Sequence, residues 1–255
     1  MLFICFLLIP ASIFASEKIV TIDTRQGVTM KLLLVSAEAQ TDKALIMFPG
    51  GNGYNPFSSR DGVISLGKNF LVRTAPDFAG KGFLVVVVDC PSDVQGMDDK
   101  FRTSREHLYD ISKAVDYLAG KGYTSIYLVG TSRGTISAAS IGAELKHPDI
   151  KGVILTSSMN YSKFLRWIPL EKTPYPVLIV HNQDDGCNAS PYDEASYMTR
   201  MFKKSPKVDF VGVSGGSSPQ SGPCGPMSAH GYLGIEGEVI DKIVKWISGI
   251  NSSRP

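Results

Sequence analysis

The sequence lacks an excess of charge of either sign. It has 26 Lys and Arg side chains against 24 Asp and Glu, which gives a formal net charge of +2 at pH 7. Proteins that bind nucleic acid or an anionic membrane surface through electrostatics carry a clear basic patch or excess. The chain also has no run of Lys and Arg, no internal repeat and no low-complexity tract. Nucleic acid is therefore not an expected partner, and a repeat architecture is excluded.

No apolar run is long enough to cross a membrane. The longest lies in the uncharged residues 1–15, where the apolar stretch 2–9 is much shorter than the roughly 20 residues that a span requires. Small residues follow it, and Ala15 is a plausible cleavage position, although a basic region before the stretch is missing. We therefore expect residues 1–15 to be a signal peptide and the mature chain, residues 16–255, to be exported to the periplasm or secreted.

Cysteine is scarce. Of the four in the chain, Cys5 would leave with the signal peptide, so the mature chain would keep Cys90, Cys187 and Cys224. Three thiols exclude a disulfide-dense scaffold but allow one bridge in an exported protein. Cys90 ends an apolar run and is expected to be buried at a strand end. The expected pair is Cys187 and Cys224, and two unpaired thiols are the alternative.

The sequence does contain a regular alternation of short apolar runs, rich in Val and Ile, with longer amphipathic segments. This alternation is typical of an α/β fold with a mostly parallel sheet. At 255 residues and 43% hydrophobic, the chain can bury one large core, so we expect a single domain over residues 16–255.

Strands are predicted at residues 18–23, 28–35, 44–48, 83–89, 125–129, 152–156, 177–181 and 207–213, with an antiparallel start. Helices are predicted at about 103–119, where Thr103–Glu106 reads as a capping box, and at about 132–147, 190–203 and 234–247.

The motif G-x-S-x-G occurs twice, around Ser132 (residues 130–134) and around Ser214 (residues 212–216). A nucleophilic serine in this motif requires a sharp turn between a strand and a helix. Ser132 follows a predicted strand and precedes small residues that can form a helix close to a sheet. The N-terminus of that helix would favour negative charge near the serine. Ser214 is followed by Ser, Pro and Gly residues that cannot form a helix. The predicted nucleophile is therefore Ser132.

A glycine-rich segment, residues 49–53, follows the predicted strand 44–48. Acyl transfer to a serine needs backbone N–H donors directed at the oxygen that becomes negative. One predicted donor is the N–H of Arg133, directly after the nucleophile. The other is the N–H of Gly51, since a residue without a Cβ lets a substrate approach the backbone. An ordinary glycine-rich turn is the alternative reading of this segment.

A serine nucleophile needs a base, and four histidines are available. His107 lies inside a predicted helix and His147 at a helix end, so both are expected at the surface. His181 ends a predicted strand and is expected to support the following loop. His230 comes late in the chain, directly before the last predicted helix, and is the predicted base.

The base needs an orienting carboxylate, and two adjacent aspartates follow the strand 177–181. Both cannot face the same imidazole. Asp185 is preferred because it lies four residues beyond the strand-end histidine and precedes a turn glycine; Asp184 is the alternative.

The expected bridge would lie beside the predicted acid and base. Cys187 is two residues after Asp185, and Cys224 is six residues before His230. Residues 214–226, which lead to His230, are rich in Gly, Pro and Ser and have little intrinsic order. A bridge between Cys187 and Cys224 would fix this segment and draw acid and base together.

In order along the chain, FPGGNG, GTSRG, HNQDDGC and PCGPMSAHGYLGIEGEVI resemble the small, uncapped α/β hydrolases that bacteria export, of the esterase and dienelactone-hydrolase type. The resemblance covers nearly the whole mature chain. It implies the α/β-hydrolase fold, with a mostly parallel sheet of about eight strands flanked by helices. Residues 160–170 are too few for a cap domain, so an open site without a large cap is expected.

The same resemblance implies a catalytic triad of Ser132, Asp185 and His230, with Gly51 and Arg133 as oxyanion donors. It implies a small-molecule ester or other acyl compound as substrate, and neither a metal nor an organic cofactor. Arg133 departs from the family, in which many members have an apolar or amide residue there. Its guanidinium either favours anionic substrates or forms a structural ion pair. A non-catalytic binding protein on the same scaffold is the alternative function.

Overall fold

The computed structural model describes residues 15–37, 40–55, 57, 59–60, 63–64, 66–160 and 162–252. Residues 1–14 of the expected signal peptide lie outside the described residues, and so does Cys5. The structure therefore concerns the chain from Ala15 onward.

The strands of the described chain belong to one large sheet and one short hairpin. In chain order they are β1 (Ser16–Asp23), β2 (Thr29–Ser36), β3 (Lys43–Phe48), β4 (Ser59–Arg60), β5 (Val63–Ile64), β6 (Leu84–Pro91), β7 (Ser125–Thr131), β8 (Ile150–Thr156), β9 (Val177–Asn182) and β10 (Val208–Val213). The large sheet has eight strands in the order β1-β2-β6-β3-β7-β8-β9-β10, and β4 pairs with β5. The pairs β1–β2 and β2–β6 are antiparallel, and the other neighbouring pairs are parallel. The predicted strands are all present, and their bounds differ from the prediction by at most two residues.

Helices connect most of these strands. They are α1 (Phe70–Arg73), α2 (Ala75–Gly80), α3 (Asp99–Arg102), α4 (Arg105–Ala119), α5 (Gly134–Glu144), α6 (Lys163–Trp167), α7 (Tyr192–Tyr197) and α8 (Glu236–Ser252). Short 3-10 turns lie at Leu170–Lys172, Met198–Met201 and Ala229–Gly231. None of the helices in the described ranges combines the length and the apolarity that crossing a bilayer requires.

The predicted helices correspond to α4, α5, α7 and α8, whose bounds differ from the prediction by up to six residues. Helix α5 begins at Gly134 rather than Ser132, because Ser132 has a positive φ of 51° and cannot belong to a right-handed helix. Helix α7 ends early, and its predicted second half is the 3-10 turn Met198–Met201. The short helices α1, α2, α3 and α6 were not predicted, since four to six residues are too few to show a helical period.

The sheet is covered by helices on both faces. Helices α4 and α5 pack on one face, where the core includes Ile46 and Ile136. Helices α1, α2 and α8 pack on the other face, where it includes Met47 and Ile243. Neighbouring residues of β3 thus contribute to opposite cores, because successive side chains of a strand point to opposite faces. Burial on both faces explains the almost uninterrupted apolar runs of the central strands.

The start of α4 differs from the capping box that the sequence predicts. Ser104, not Thr103, is the N-cap, and its side chain accepts a hydrogen bond from the backbone N–H of His107 at 3.1 Å. Since the helix begins one residue later than the box requires, Glu106 occupies the second helical position instead of the third. Ser104 is therefore the cap, and Glu106 does not occupy the third helical position that a capping box requires.

The expectation that His107 lies at the surface is wrong. The residue is fully buried, because it lies on the same face of α4 as Ile111 and Leu118, which pack on the sheet. Its ring contacts those of Phe48 and Phe101, at centroid distances of 6.2 and 5.5 Å. Burial, more than the nearby arginines, lowers the pKa of His107 to about 3, so the imidazole is neutral at physiological pH.

The other histidine expected at the surface, His147, is partly exposed. About a fifth of its side chain is accessible (19%). Its Nδ1 accepts a hydrogen bond from the backbone N–H of Asp149, so it closes the turn after α5.

Glycines allow α5 to approach the sheet closely. A Cβ on Gly134 would collide with the backbone carbonyl of Phe48 in β3. A Cβ on Gly130, at the end of β7, would lie 2.5 Å from the carbonyl oxygen of Gly134. These two glycines therefore set the distance between the helix and the two central strands, and with it the position of the turn that contains Ser132.

We expect Gly134→Ala to lower the free energy of unfolding by about 1–3 kcal/mol, because the added methyl group overlaps backbone atoms that cannot move independently. Gly249→Ala in α8 is the matched control, since a Cβ there would meet no atom within 4 Å. It should leave stability unchanged or raise it by up to about 1 kcal/mol. Urea denaturation of both variants measures the difference. Equal stability of the two would show that α5 can shift away from the sheet at little cost.

Candidate active site

Ser132 lies in a sharp turn between β7 and α5. Its φ of 51° is unusual for a residue other than glycine, and such strained backbone often marks functional sites. Its N–H donates to the carbonyl of Thr156 at 3.0 Å, and its carbonyl accepts from the Thr135 hydroxyl at 2.6 Å. These bonds hold the turn at the carboxyl end of the parallel strands. Ser214, in the second motif, lies in an exposed loop after β10 with no helix behind it.

The glycine-rich segment after β3 lies against this turn. A Cβ on Gly50 would lie 2.9 Å from the Cβ of Ser132, so only glycine allows the contact. Gly51 has a φ of +63°, and a Cβ on it would meet no atom within 4 Å. Gly50 therefore needs glycine for its close approach to Ser132, and Gly51 needs it for its backbone conformation.

The backbone N–H groups of Gly51 and Arg133 donate to no acceptor among the described residues. Both therefore have a free hydrogen for a ligand. Gly51 lines an open cavity of about 590 Å³ together with Ser132 and His230. Two of the predicted catalytic side chains and one predicted oxyanion donor thus face the same space.

His230, which lines this cavity, forms a close contact with Asp185. The imidazole Nδ1 lies 2.8 Å from Asp185 Oδ2, and the exposed fractions of the two side chains are 4% and 0%. The other carboxylate oxygen of Asp185 accepts the backbone N–H of Cys187 at 2.9 Å. The carboxylate is therefore held in place from both sides, and it orients the imidazole.

The hydrogen bond between Ser132 and His230 is not formed in this structure. The Ser132 hydroxyl is directed at the sulfur of Met159, 3.8 Å away. The Nε2 of His230 is buried and has no hydrogen-bond partner among the described residues. In substrate-free enzymes, contacts between nucleophile and base are often long and tighten only when substrate binds.

Asp184, the alternative acid, points elsewhere. Its Oδ2 accepts the backbone N–H of Gly215 at 2.6 Å, and its own N–H donates to the side chain of Asn182. The residue is exposed. Asp184 thus holds the loop after β10, and it is Asp185 that the structure brings to His230.

His181 supports the loop that contains the acid, as the sequence predicts. Its Nε2 lies 2.7 Å from the carbonyl oxygen of Ser190, so this nitrogen donates and carries the proton. The same Nε2 is 3.5 Å from Asp185 Oδ2. Burial lowers the pKa of His181, which keeps the ring neutral. A neutral ring can stabilise the Asp185 loop without competing with His230 for the carboxylate charge.

Arg102 is a residue of the site that the sequence analysis did not find. Its fully buried guanidinium donates from Nη2 to the carbonyls of Pro49 (3.2 Å) and Gly51 (3.4 Å), and from Nη1 to the hydroxyl of Ser137 (2.9 Å). It therefore ties the glycine-rich segment to α5. Burial lowers the pKa of Arg102 to about 10, so the group stays charged at neutral pH. The residue lies at the end of the unpredicted helix α3, and no local pattern marks it.

The side chain of Arg133 forms an ion pair. Its Nε lies 2.7 Å from Asp99 Oδ1, and Asp99 Oδ2 accepts the hydroxyl of Ser162 at 3.2 Å. Two roles were predicted for this guanidinium, a preference for anionic substrates and a structural ion pair. The structure shows the ion pair.

The structure contains the predicted disulfide between Cys187 and Cys224, with their Cα atoms 4.6 Å apart. It joins the loop of Asp185 to the loop of His230, and Cys224 also lines the cavity. Cys90 is a free, buried thiol at the end of β6, as predicted, and burial raises its pKa to about 11.

We expect reduction of the bridge, or Cys224→Ser, to lower activity more than secondary structure, because it releases the loop that positions His230. Closing a separation of 37 residues also stabilises the fold by roughly 4 kcal/mol in the chain-entropy model. Cys90→Ala, which removes a thiol outside the bridge, is the matched control. Ester hydrolysis and far-UV circular dichroism, with and without reductant, measure the two effects. Equal activity of reduced and oxidised protein would contradict this role.

The sheet order, the turn at Ser132 after β7 and the acid and histidine loops after β9 and β10 together define the α/β-hydrolase fold. Between β8 and β9, the described residues form only α6 and one 3-10 turn, so this connection contains no large cap. The fold that the resemblance implies is therefore confirmed.

Solved structures with this fold are similar to the chain along almost its whole length. An esterase from Pyrococcus furiosus is 14% identical, with a TM-score of 0.64 and 96% of each chain covered. An α/β serine hydrolase homologue from Coxiella burnetii is 14% identical, with a TM-score of 0.60, and 93% of this chain and 97% of that chain are covered. One of two fungal esterases from Rhizomucor miehei is 15% identical, with a TM-score of 0.63 and coverages of 94% and 84%. No protein-family model matches the chain, and no curated protein matches it in sequence.

Proposed function

We propose that this protein is a serine hydrolase that cleaves a carboxylic ester, or a related acyl bond, through an acyl-serine intermediate. The observation that carries the proposal is the 2.8 Å contact between Asp185 and His230, at a cavity that also contains Ser132. A buried carboxylate that orients an imidazole beside a serine is the arrangement that activates a hydroxyl nucleophile. The similarity to esterases in fold is consistent with it.

In the proposed reaction, Asp185 accepts a hydrogen bond from the Nδ1–H of His230, which leaves Nε2 as the basic nitrogen. Rotation of the Ser132 hydroxyl away from Met159 brings its proton to Nε2, and Oγ attacks the acyl carbon. The imidazolium, stabilised by Asp185, then protonates the leaving alcohol. His230 then takes a proton from a water molecule that attacks the acyl-serine. It returns this proton to Ser132 Oγ as the acid leaves.

The negative oxygen of each tetrahedral intermediate would be bound by the free N–H groups of Gly51 and Arg133. Arg102 supports this arrangement, since its buried guanidinium holds the carbonyl of Gly51 and so fixes the orientation of the segment. Donors that are fixed before the reaction do not have to reorganise when charge develops.

A small-molecule ester or other acyl compound is the proposed substrate. The cavity of about 590 Å³ is lined by residues that include the aromatic Tyr54, Phe57 and Phe70 and the cationic Lys68. Aromatic walls with a few polar groups are typical of sites for small organic molecules.

We also propose that the protein acts outside the cytoplasm, after removal of residues 1–15. The bridge between Cys187 and Cys224 supports this, because disulfides form and persist in oxidising compartments such as the periplasm.

A fluorophosphonate probe should label the wild-type protein, and Ser132→Ala should abolish both labelling and hydrolysis of a model ester, because the alanine has no nucleophile. Ser214→Ala, in the second G-x-S-x-G motif, is the matched control and should label normally. Gel fluorescence and mass spectrometry of the labelled peptide provide the measurement. A wild-type protein that neither labels nor hydrolyses esters would favour the non-catalytic binding protein.

Asp184 and Asp185 are neighbours in the chain, so matched substitutions can test which carboxylate orients His230. Asp185→Asn should lower kcat by about 10³–10⁴-fold, because an amide cannot stabilise the imidazolium and favours the wrong tautomer. Asp184→Asn, one residue away, should change kcat by only a few-fold, since Asp184 bonds to the backbone of Gly215 instead. Steady-state kinetics on one ester compares the two. A larger loss in Asp184→Asn would assign the acid to that residue.

A further inference from the structure

Asn69 is the residue directly before helix α1, and its carboxamide has a fixed orientation. Its Oδ1 accepts the backbone N–H of Leu71 at 3.1 Å, which caps the helix. The amide nitrogen therefore points away from the helix. This Nδ2 donates to no acceptor among the described residues.

The unpaired nitrogen lies next to the predicted nucleophile. The position that a Cβ would take on Gly50 is 3.3 Å from Asn69 Nδ2 and 2.9 Å from the Cβ of Ser132. Asn69 and Ser132 therefore adjoin the glycine-rich segment at the same point. Both residues line the cavity that contains His230.

The segment that contains Asn69 is held rigidly against the loop of His230. In α1, Arg73 donates from Nη2 to the carbonyl of Gly231 at 2.6 Å, and the same nitrogen forms an ion pair with Glu236 at 2.8 Å. Asn69 and His230 are thus connected through one arginine. A donor fixed in this way loses little entropy when it binds a ligand.

From this geometry we infer that Asn69 is a further catalytic residue, whose Nδ2–H donates to the acyl oxygen of the substrate beside the N–H groups of Gly51 and Arg133. The inference rests on the proposed acyl transfer at Ser132. A side-chain amide that donates to the oxygen on which negative charge develops stabilises the transition state more than the bound substrate. Asn69 would therefore act mainly on kcat.

Asn69→Ser tests this role without removing the helix cap, because serine is as good a cap as asparagine. The variant loses the N–H donor, so kcat should fall about 10²-fold or more, with KM within a few-fold of wild type and the same Tm. Asn69→Asp keeps the shape and the cap but replaces the donor with a negative oxygen, so it should be at least as slow. Ser104→Asn, the reverse exchange at the cap of α4 outside the cavity, is the matched control and should match wild type in kcat and Tm.

A trifluoromethyl ketone, which forms a tetrahedral oxyanion on an active serine, separates catalysis from positioning. Its inhibition constant should rise in Asn69→Ser by the same factor by which kcat/KM falls. An unchanged inhibition constant, or kcat within about threefold of wild type, overturns the role of Asn69. Both of these results leave ester hydrolysis by the wild type intact, so the proposed function would still stand. A wild type that does not react at Ser132 overturns both.

Discussion

The hydrogen bond between Asp185 and His230 connects two loops that have little regular structure of their own. One follows β9, and the other follows β10 through a segment rich in glycine, proline and serine. Neither loop could hold a side chain to within a few tenths of an ångström alone. The disulfide joins them covalently, Asp184 fixes Gly215 on the same side, and Arg73 holds the carbonyl of Gly231. The geometry of the Asp185–His230 hydrogen bond therefore depends on several contacts made by other residues of the two loops.

The serine side of the site is built differently. Ser132 and the glycine-rich segment lie between regular elements, and close backbone packing of β3, β7 and α5 determines their positions. A buried cation, Arg102, connects the two parts of this framework by hydrogen bonds to carbonyl groups. It has no carboxylate partner within 4.0 Å among the described residues. Because breaking such bonds would leave a buried charge without partners, the segment is strongly constrained.

The sequence predicted those parts that leave a local pattern. Strands buried on both faces appear as apolar runs, and the strand–turn–helix around Ser132 distinguished it from Ser214. The order of the motifs implied the fold, which the structure confirms. The preference for Asp185 over Asp184 agrees with the contact to His230, although local sequence alone left both open.

The parts that were missed depend on contacts between residues far apart in the chain. Arg102 ends a helix of four residues, and its hydrogen-bond partners lie in other segments. Asn69 directly precedes another helix of four residues, and Ser132 lies far from it in the chain. His107 was expected at the surface because it lies inside a predicted helix, but its position on the inner face of α4 decides its burial. A stricter use of the helical period would have found it, since it is four residues before Ile111.

The disulfide between Cys187 and Cys224 also affects the stage at which the candidate active site is fully assembled. In a reducing compartment the chain would keep the turn around Ser132, which depends on packing and hydrogen bonds. The loops of Asp185 and His230 would lose their covalent link and be held only by non-covalent contacts. Oxidation of one pair of sulfur atoms would then act as the last step of maturation. For the exported hydrolase proposed above, synthesis inside the cell and hydrolysis outside it would in this way be separated in time by the chemistry of Cys187 and Cys224.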